Sequence, residues 1–310
     1  MADEIMNTAQ RQKRKLRPEA VMGIIALVCA ALLVGMTIAC IPYFQEPKDP
    51  ELLTRPQHME AEEEARREEA EGPEETVPEE TAIPTIPPEA NPYDRYDFQY
   101  NDNNFLECLR QESFPGVDVS AFQGNIDWQQ VKDAGIRFAI IRLGYRGYGK
   151  AGKMVEDEYA LKNLKGVTEA GLPYGVYFFS QALNIKEAQE EIDFMLKILG
   201  DYHPDLPVIL DWEIPTAEAR TANMDARTLT DIQLYFCKTI QEMGYTPMIY
   251  FNWHQGNNLY YLNELEDYPF WLALYQDRMD YPYKVEMWQY TCTGKVPGIP
   301  GDVDINVYMP

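Results

Sequence analysis

From Phe114 to the C terminus, short apolar runs alternate with longer amphipathic ones, and this alternation constrains the fold more than any other feature. "PGVDVS" reads as a strand, "IDWQQVKDAG" as a helix closed by Gly135, and "IRFAIIRLG" as a strand again. "EDEYALKNLKGVTEAG" is helical with Gly171 as its stop, and the strand "PYGVYFFS" follows. The amphipathic helix "NIKEAQEEIDFMLKILG" leads to the strand "PVILDWE", and the helix "TLTDIQLYFCKTIQEMG" to the strand "TPMIYFN". Beyond that point "FWLALY", "VEMWQYT" and "VDINVYM" read as strands joined only by loops. Repeated strand–helix units imply parallel strands covered by helices. The expectation is an α/β fold: an irregular, TIM-like β/α barrel of about eight strands with reduced helices in its last third. The region is short beside the ~250 residues of a complete eightfold barrel, which suits a truncated ending.

The N-terminal third has a different character. Val21–Ile41, "VMGIIALVCAALLVGMTIACI", carries no charge. A helix of that length would be roughly 31 Å long, enough to cross a bilayer core. "RQKRKLR" (Arg11–Arg17) precedes it and acidic sequence follows, so the positive-inside rule places residues 1–20 in the cytoplasm and the rest outside. A cleavable signal peptide competes with this reading, but its apolar region is usually only about 7–15 residues. Lipidation at Cys40 in "TIAC" is a second competitor. All three export the C-terminal bulk. Residues 42–112 are read as an acidic, Pro-rich linker that buries too little apolar surface to offset its ordering entropy. The expected organisation is therefore a cytoplasmic tail (1–20), a transmembrane helix (21–41), a linker (42–112) and a barrel domain (113–310).

A formal net charge of -23 argues against a nucleic-acid partner, since such binding neutralises phosphates with Lys and Arg. Cys108, Cys237 and Cys292 fall outside the apolar segment and read as buried thiols, with a single disulfide as the alternative. The chain has three histidines, His58, His203 and His254, none close in sequence to a strand-end carboxylate. Neither a transition-metal centre nor any other cofactor is expected.

Chemistry in an α/β barrel gathers at the C-terminal ends of its strands. Asp118 ends the first strand, Asp211 and Glu213 end "PVILDWE", and Asp304 lies in the last strand, so four carboxylates are expected at one mouth. Asp211 and Glu213 are two residues apart, so a strand points both to one face, roughly 6.6 Å apart along the chain. Cleavage of a glycosidic bond uses two carboxyl groups about 5–9 Å apart. Crowding also separates the pKa values of neighbouring carboxyls, leaving one protonated and one charged. Trp212 should face away from both. Around the mouth, Tyr177, Tyr250, Trp271, Tyr275, Trp288 and Gln289 are candidate sugar contacts, by stacking or by an amide hydrogen bond.

Several motifs in fixed order, "GVDVSAFQGNIDW", "FAIIRLGYRGYG", "AGLPYGVYFFS", "PVILDWE", "PMIYFN", "FWLALY" and "MWQYTCTGKVPGIPGDVDINVY", resemble glycoside hydrolase family 25, the Chalaropsis-type lysozymes. The resemblance spans about Phe114 to Pro310. It implies an irregular β/α barrel that hydrolyses the β-1,4 bond between N-acetylmuramic acid and N-acetylglucosamine in peptidoglycan. By position, Glu213 matches the family's general acid, and Asp211 the carboxylate that orients or stabilises the reacting sugar. Asp118 and Asp304 match two further acids of the mouth. The implied partners are peptidoglycan glycan strands, and the cytoplasmic membrane through the single apolar span. A wall-binding protein that does not cut glycan, and a hydrolase of a related glycan such as chitin, are the rival readings.

Overall fold

The computed structural model describes residues 88–276 and 278–310. The apolar segment, its basic flank and the linker up to residue 87 lie outside them. Among the described residues no helix is long and apolar enough to cross a membrane.

The described residues form eleven strands: β1 (Phe98–Tyr100), β2 (Leu106–Cys108), β3 (Phe114–Val119), β4 (Phe138–Arg146), β5 (Met154–Glu156), β6 (Tyr174–Ser180), β7 (Val208–Trp212), β8 (Pro247–Asn252), β9 (Phe270–Ala273), β10 (Met287–Gly294) and β11 (Val303–Tyr308). The helices are α1 (Trp128–Asp133), α2 (Ala160–Ala170), α3 (Ile185–Leu199), α4 (Ala226–Glu242) and α5 (Trp253–Asn258). Local chemistry sets their ends. Asn184 and Asp225 cap α3 and α4 by accepting from the Glu187 and Thr228 amides. Gly171 ends α2 in the left-handed conformation with φ 61°.

Strands β3, β11, β10, β9, β8, β7, β6 and β4 are neighbours in that order, and pairing of β3 with β4 closes the barrel. The series β3, β4, β6, β7, β8, β9, β10 pairs in parallel, as the strand–helix alternation implies. β11 departs from it, running antiparallel to both β10 and β3. The reason lies in the loop "KVPGIPGD" (residues 295–302), which is too short for a crossover, since a parallel connection needs about a dozen residues or more. It turns back through Gly298 (φ 93°) and Gly301 (φ 78°). After α5 the outer layer has no further α-helix among the described residues, so the reduced last third is borne out.

The strands alternate between two apolar clusters. Val117, Ile141, Val176, Phe178, Leu210, Trp212, Phe251, Leu272, Trp288 and Val307 face outward, where most pack under helices. Phe138, Ile140, Tyr177, Ile209, Met248, Tyr250, Trp271, Ala273 and Met287 fill the barrel. A Cβ on Gly116 would sit 2.2 Å from the Phe138 ring, so this glycine makes room for the lower part of the barrel filling. Toward the C-terminal ends of the parallel strands the inner positions turn polar: Asp118, Arg142, Asp211 and Gln289 follow Gly116, Ile140, Ile209 and Met287 at spacing two. That polar end is the mouth.

The linker expectation is corrected at its C-terminal end. Residues 88–112 are folded: β1 and β2 form an antiparallel hairpin, and Phe98, Phe105, Leu106 and Cys108 join the outer core cluster. Phe98 meets Trp288 edge to face at 5.2 Å, and the Leu106 amide donates to the Tyr290 hydroxyl at 3.3 Å. Upstream, Ala90 bridges to Tyr283, and the Asn91 side chain donates to the Tyr281 carbonyl at 2.8 Å. Five aromatic residues between Tyr93 and Phe105 supply the apolar area that the acidic composition further upstream lacks. Cys108, Cys237 and Cys292 are buried free thiols, so the disulfide alternative falls away. Leu106 is 1 % exposed, so Leu106→Ala should cost about 2–5 kcal/mol, read as a lower urea midpoint. A domain starting at residue 88 should outlast one starting at Ser113 in the same titration. Equal midpoints would show that the hairpin is not part of the domain.

Candidate active site

The strand β7 carries the central pair. Ile209 lies in the inner cluster and Leu210 and Trp212 in the outer one, so Asp211 faces the barrel interior, and Glu213 is the first residue past the strand. Asp211 and Glu213 are 8 % and 5 % exposed. Trp212 faces outward as expected, wholly buried, with its indole N–H donating to the Ala182 carbonyl at 2.8 Å.

Three buried glutamines hold the backbone of this strand end. The Gln233 side chain donates to the Leu210 carbonyl at 3.2 Å, Gln255 to that of Trp212 at 2.6 Å, and Gln181 to that of Glu213 at 2.7 Å. Gln181 is itself held by the Thr221 hydroxyl, which donates to its Oε1 at 3.0 Å. Each comes from a different neighbouring element: Gln181 follows β6, Gln233 is in α4 and Gln255 in α5. Neutral amides fix the chain here without adding charge beside the carboxylates. Beneath Gln181, the fully buried Glu191 accepts from the Ser180 hydroxyl at 2.5 Å and from Arg146 Nε at 2.7 Å. Burial pushes its carboxyl up to about 7, against the pull of the Ser180 and Arg146 donors.

Across the mouth, Asp118 Oδ2 accepts from the Gln289 amide at 2.7 Å and from the Asn306 amide at 2.8 Å. Gln289 in turn accepts from the Tyr275 hydroxyl at 2.9 Å and the Tyr250 hydroxyl at 3.4 Å. Asn306 accepts from the Trp271 indole N–H at 2.8 Å. Asp304 pairs directly with Asp118 in the β11–β3 register, which sets their Cα atoms about 5 Å apart. The reversed direction of β11 puts its first residues at the mouth, so all four acids belong to one end of the barrel. Burial, with the Asp118 and Asp211 charges adding, pushes the Tyr177 hydroxyl well above its ordinary range against the opposing Arg142. Tyr177 is therefore a neutral hydroxyl at any working pH.

The aromatic candidates divide. Tyr177 and Tyr250 are inner residues, Gln289 lies between Asp118 and the two tyrosines, and Tyr275 is partly exposed at the rim. Trp271 is inner but only 2 % exposed, and serves Asn306. Trp288 is a correction: it is fully buried in the outer cluster, with its indole donating to the Leu274 carbonyl at 2.8 Å, so it cannot reach a sugar. Its alternation with Gln289 along β10 is the reason, since one strand cannot aim both inward. Sequence reasoning missed Asn306, Arg142 and the three glutamines. For Asn306 and Arg142 the signal was present as inner-face spacing from Asp304 and Ile140; for the glutamines there was none.

Residues 117–299 match the family model described as glycosyl hydrolases family 25. The chain belongs to that family. It is therefore a glycoside hydrolase. The protein YegX of Escherichia coli (strain K12) is 32% identical over 204 residues, covering 62% of this chain and 68% of YegX. Lysozyme M1 of Streptomyces globisporus is 28% identical over 217 residues, covering 62% of this chain and 67% of that enzyme. Among solved structures, the modular autolysin LytC from Streptococcus pneumoniae, in complex with a synthetic peptidoglycan ligand, superposes with a TM-score of 0.56 at 25% identity. That likeness covers 68% of this chain but 52% of LytC, so this chain spans about half the autolysin's length. The hairpin β1–β2 precedes the family match.

The glutamine contacts generate a test. Gln181→Leu keeps the volume but removes the 2.7 Å amide bond to the Glu213 carbonyl, leaving that carbonyl the Thr221 hydroxyl at 3.2 Å, which should cost about 1–3 kcal/mol of stability. It should also lower kcat more than it raises KM, because the displaced group is the backbone of Glu213 at the mouth end of β7. A variant less stable but catalytically unaltered would reduce Gln181 to packing.

Proposed function

We propose that this chain is a membrane-anchored N-acetylmuramidase that hydrolyses the β-1,4 bond between N-acetylmuramic acid and N-acetylglucosamine in peptidoglycan. The observation that carries the reading is the joint placement of Asp211 and Glu213 at the mouth end of β7, within the stretch that matches the family. Lysozyme M1, and an autolysin crystallised with a peptidoglycan ligand, support the substrate class.

In this reading Glu213 protonates the glycosidic oxygen as the bond breaks. Asp211 stays ionised and stabilises the positive charge that develops on the sugar. Asp118 is held by two amide donors that leave its charge intact, so with Asp304 it fixes the substrate and shapes the field around Glu213. Tyr177, a neutral hydroxyl between Asp118 and Asp211, and Tyr275 at the rim offer hydrogen bonds to sugar hydroxyls.

Glu213→Gln removes the transferable proton and keeps the shape. It should slow muropeptide release by at least about 10²–10⁴-fold with the thermal midpoint retained. Asp211→Asn should be similarly severe, and Asp118→Asn and Asp304→Asn milder. The wild-type rate should follow a bell in pH, because one carboxyl must be protonated and another ionised. Glu213→Gln releasing muropeptides at near wild-type rate would remove it as the acid.

The anchor reading rests on the charge-free Val21–Ile41 and the basic "RQKRKLR" before it. Protease added to intact protoplasts should degrade the barrel domain while sparing residues 1–20. A protected barrel domain would overturn the orientation and leave the enzyme without access to wall.

A further inference from the structure

Arg142 is the inner residue of β4 that follows Phe138 and Ile140 at spacing two, and it pairs with Tyr177 in the β4–β6 register. It therefore stands at the mouth, one inner position above the level at which Asp118 pairs with Ile140. Its electrostatic neighbourhood agrees: the Tyr177 hydroxyl feels Arg142, Asp118 and Asp211 together.

Only one edge of the guanidinium is used. Arg142 Nε donates to Asp157 Oδ2 at 2.8 Å. Asp157 is fixed in turn by the Ala121 amide at 2.9 Å and the Tyr159 amide at 2.9 Å. The guanidinium carbon lies 5.1 Å from the Phe122 ring centre and 5.5 Å from that of Tyr145, so both rings pack against it. Among the described residues no acceptor takes the Nη1 and Nη2 protons, yet neither atom is sealed from solvent, and the side chain is 12% exposed. Arg146 and Arg220 differ. Arg146 is spent on Glu191, Glu190 and two backbone carbonyls, and Arg220 pairs with Glu187 through Nη2 while its Nε and Nη1 are buried away from any ligand.

A held guanidinium with its two terminal nitrogens open is a fork for a carboxylate. The mouth contains Asp118, Asp211, Glu213 and Asp304, so a ligand carrying its own carboxylate is repelled unless a cation meets it. Muramic acid differs from glucosamine by a lactyl ether that ends in a carboxyl group. That group is free in glycan without peptide and amide-linked in substituted glycan, where the carboxylates lie further along the stem.

We propose that Arg142 is the specificity-determining residue of this site, binding a carboxylate carried by the muramic acid residue through Nη1 and Nη2. The assignment rests on the muramidase reading and narrows it, because it states what separates the substrate from chitin.

The test is equilibrium binding to the full chain, with ligands that lack the cleaved bond. These are N-acetylglucosaminyl-N-acetylmuramic acid with a free lactyl acid, its lactyl methylamide, the L-Ala-D-Glu derivative, that derivative with its peptide carboxylates amidated, and chitobiose. Wild type should prefer a free acid over its amide by about ten- to a hundredfold. Arg142→Gln should bring that ratio close to one, and Arg142→Lys, charged but without a fork, should retain part of it. A preference between the two disaccharides without peptide assigns the lactyl carboxylate, and one between the two peptide derivatives a stem carboxylate. A wild-type ratio near one in both pairs, or a ratio unchanged in Arg142→Gln, overturns the proposal. If Arg142→Gln does not fold, the acid–amide ratios of wild type and Arg142→Lys decide. Peptidoglycan hydrolysis by the same wild-type preparation is scored separately. Its absence alongside a retained acid preference would overturn the muramidase reading and leave the Arg142 assignment standing.

Discussion

The site depends on one antiparallel strand. β11 enters between β10 and β3 and closes the barrel, and because it runs against its neighbours its first residues arrive at the mouth. Asp304 then stands opposite Asp118, and Asn306, two residues on, reaches the Asp118 carboxylate. In a uniformly parallel barrel both would lie nearer the far end, leaving Asp118 without its second amide donor. The same eight-residue turn that is too short for a helix thus decides which end of the barrel receives the fourth acid.

Gathering acids in one mouth is destabilising, and the partners chosen show how the cost is met. Buried charges are tolerated when hydrogen-bonded, and a cationic partner would do this most strongly. The barrel instead gives Asp118 two side-chain amides and ties the β7 backbone with three more. Arg146–Glu191 below Gln181 and Arg142–Asp157 on the rim are close ion pairs. Side-chain amides thus fix both the β7 backbone and the Asp118 carboxylate.

Much of this was legible in the sequence where a period governed it. The strand–helix alternation set the barrel, and "VILDWE" carried both the inward pair and the outward Trp212, because a strand has period two. The same rule, applied to β10, would have turned Trp288 outward once Gln289 was taken inward. It would also have found Arg142 from Ile140. The sense of β11 was readable from its short loop but was hidden by the run of parallel units before it. Gln181, Gln233 and Gln255 were not readable at all. Each sits on a different element and acts on backbone atoms, so only the closed fold shows what they hold.

The hairpin was obscured for a different reason: acidic, Pro-rich composition upstream masks a short aromatic stretch that needs a partner surface. That surface exists because, among the described residues, no α-helix covers the last third of the barrel, leaving the outward Trp288 and Tyr290 of β10 to be buried by something else. Phe98 and Leu106 bury them. The residue between Trp288 and Tyr290 on the opposite face is Gln289, the ligand of Asp118. Support on the outer side of β10 is therefore support for the inner side. The hairpin is thus separated from the Asp118 carboxylate by β10 alone. Any force or cleavage that strips the hairpin would act first on β10, and through Gln289 on the position of Asp118.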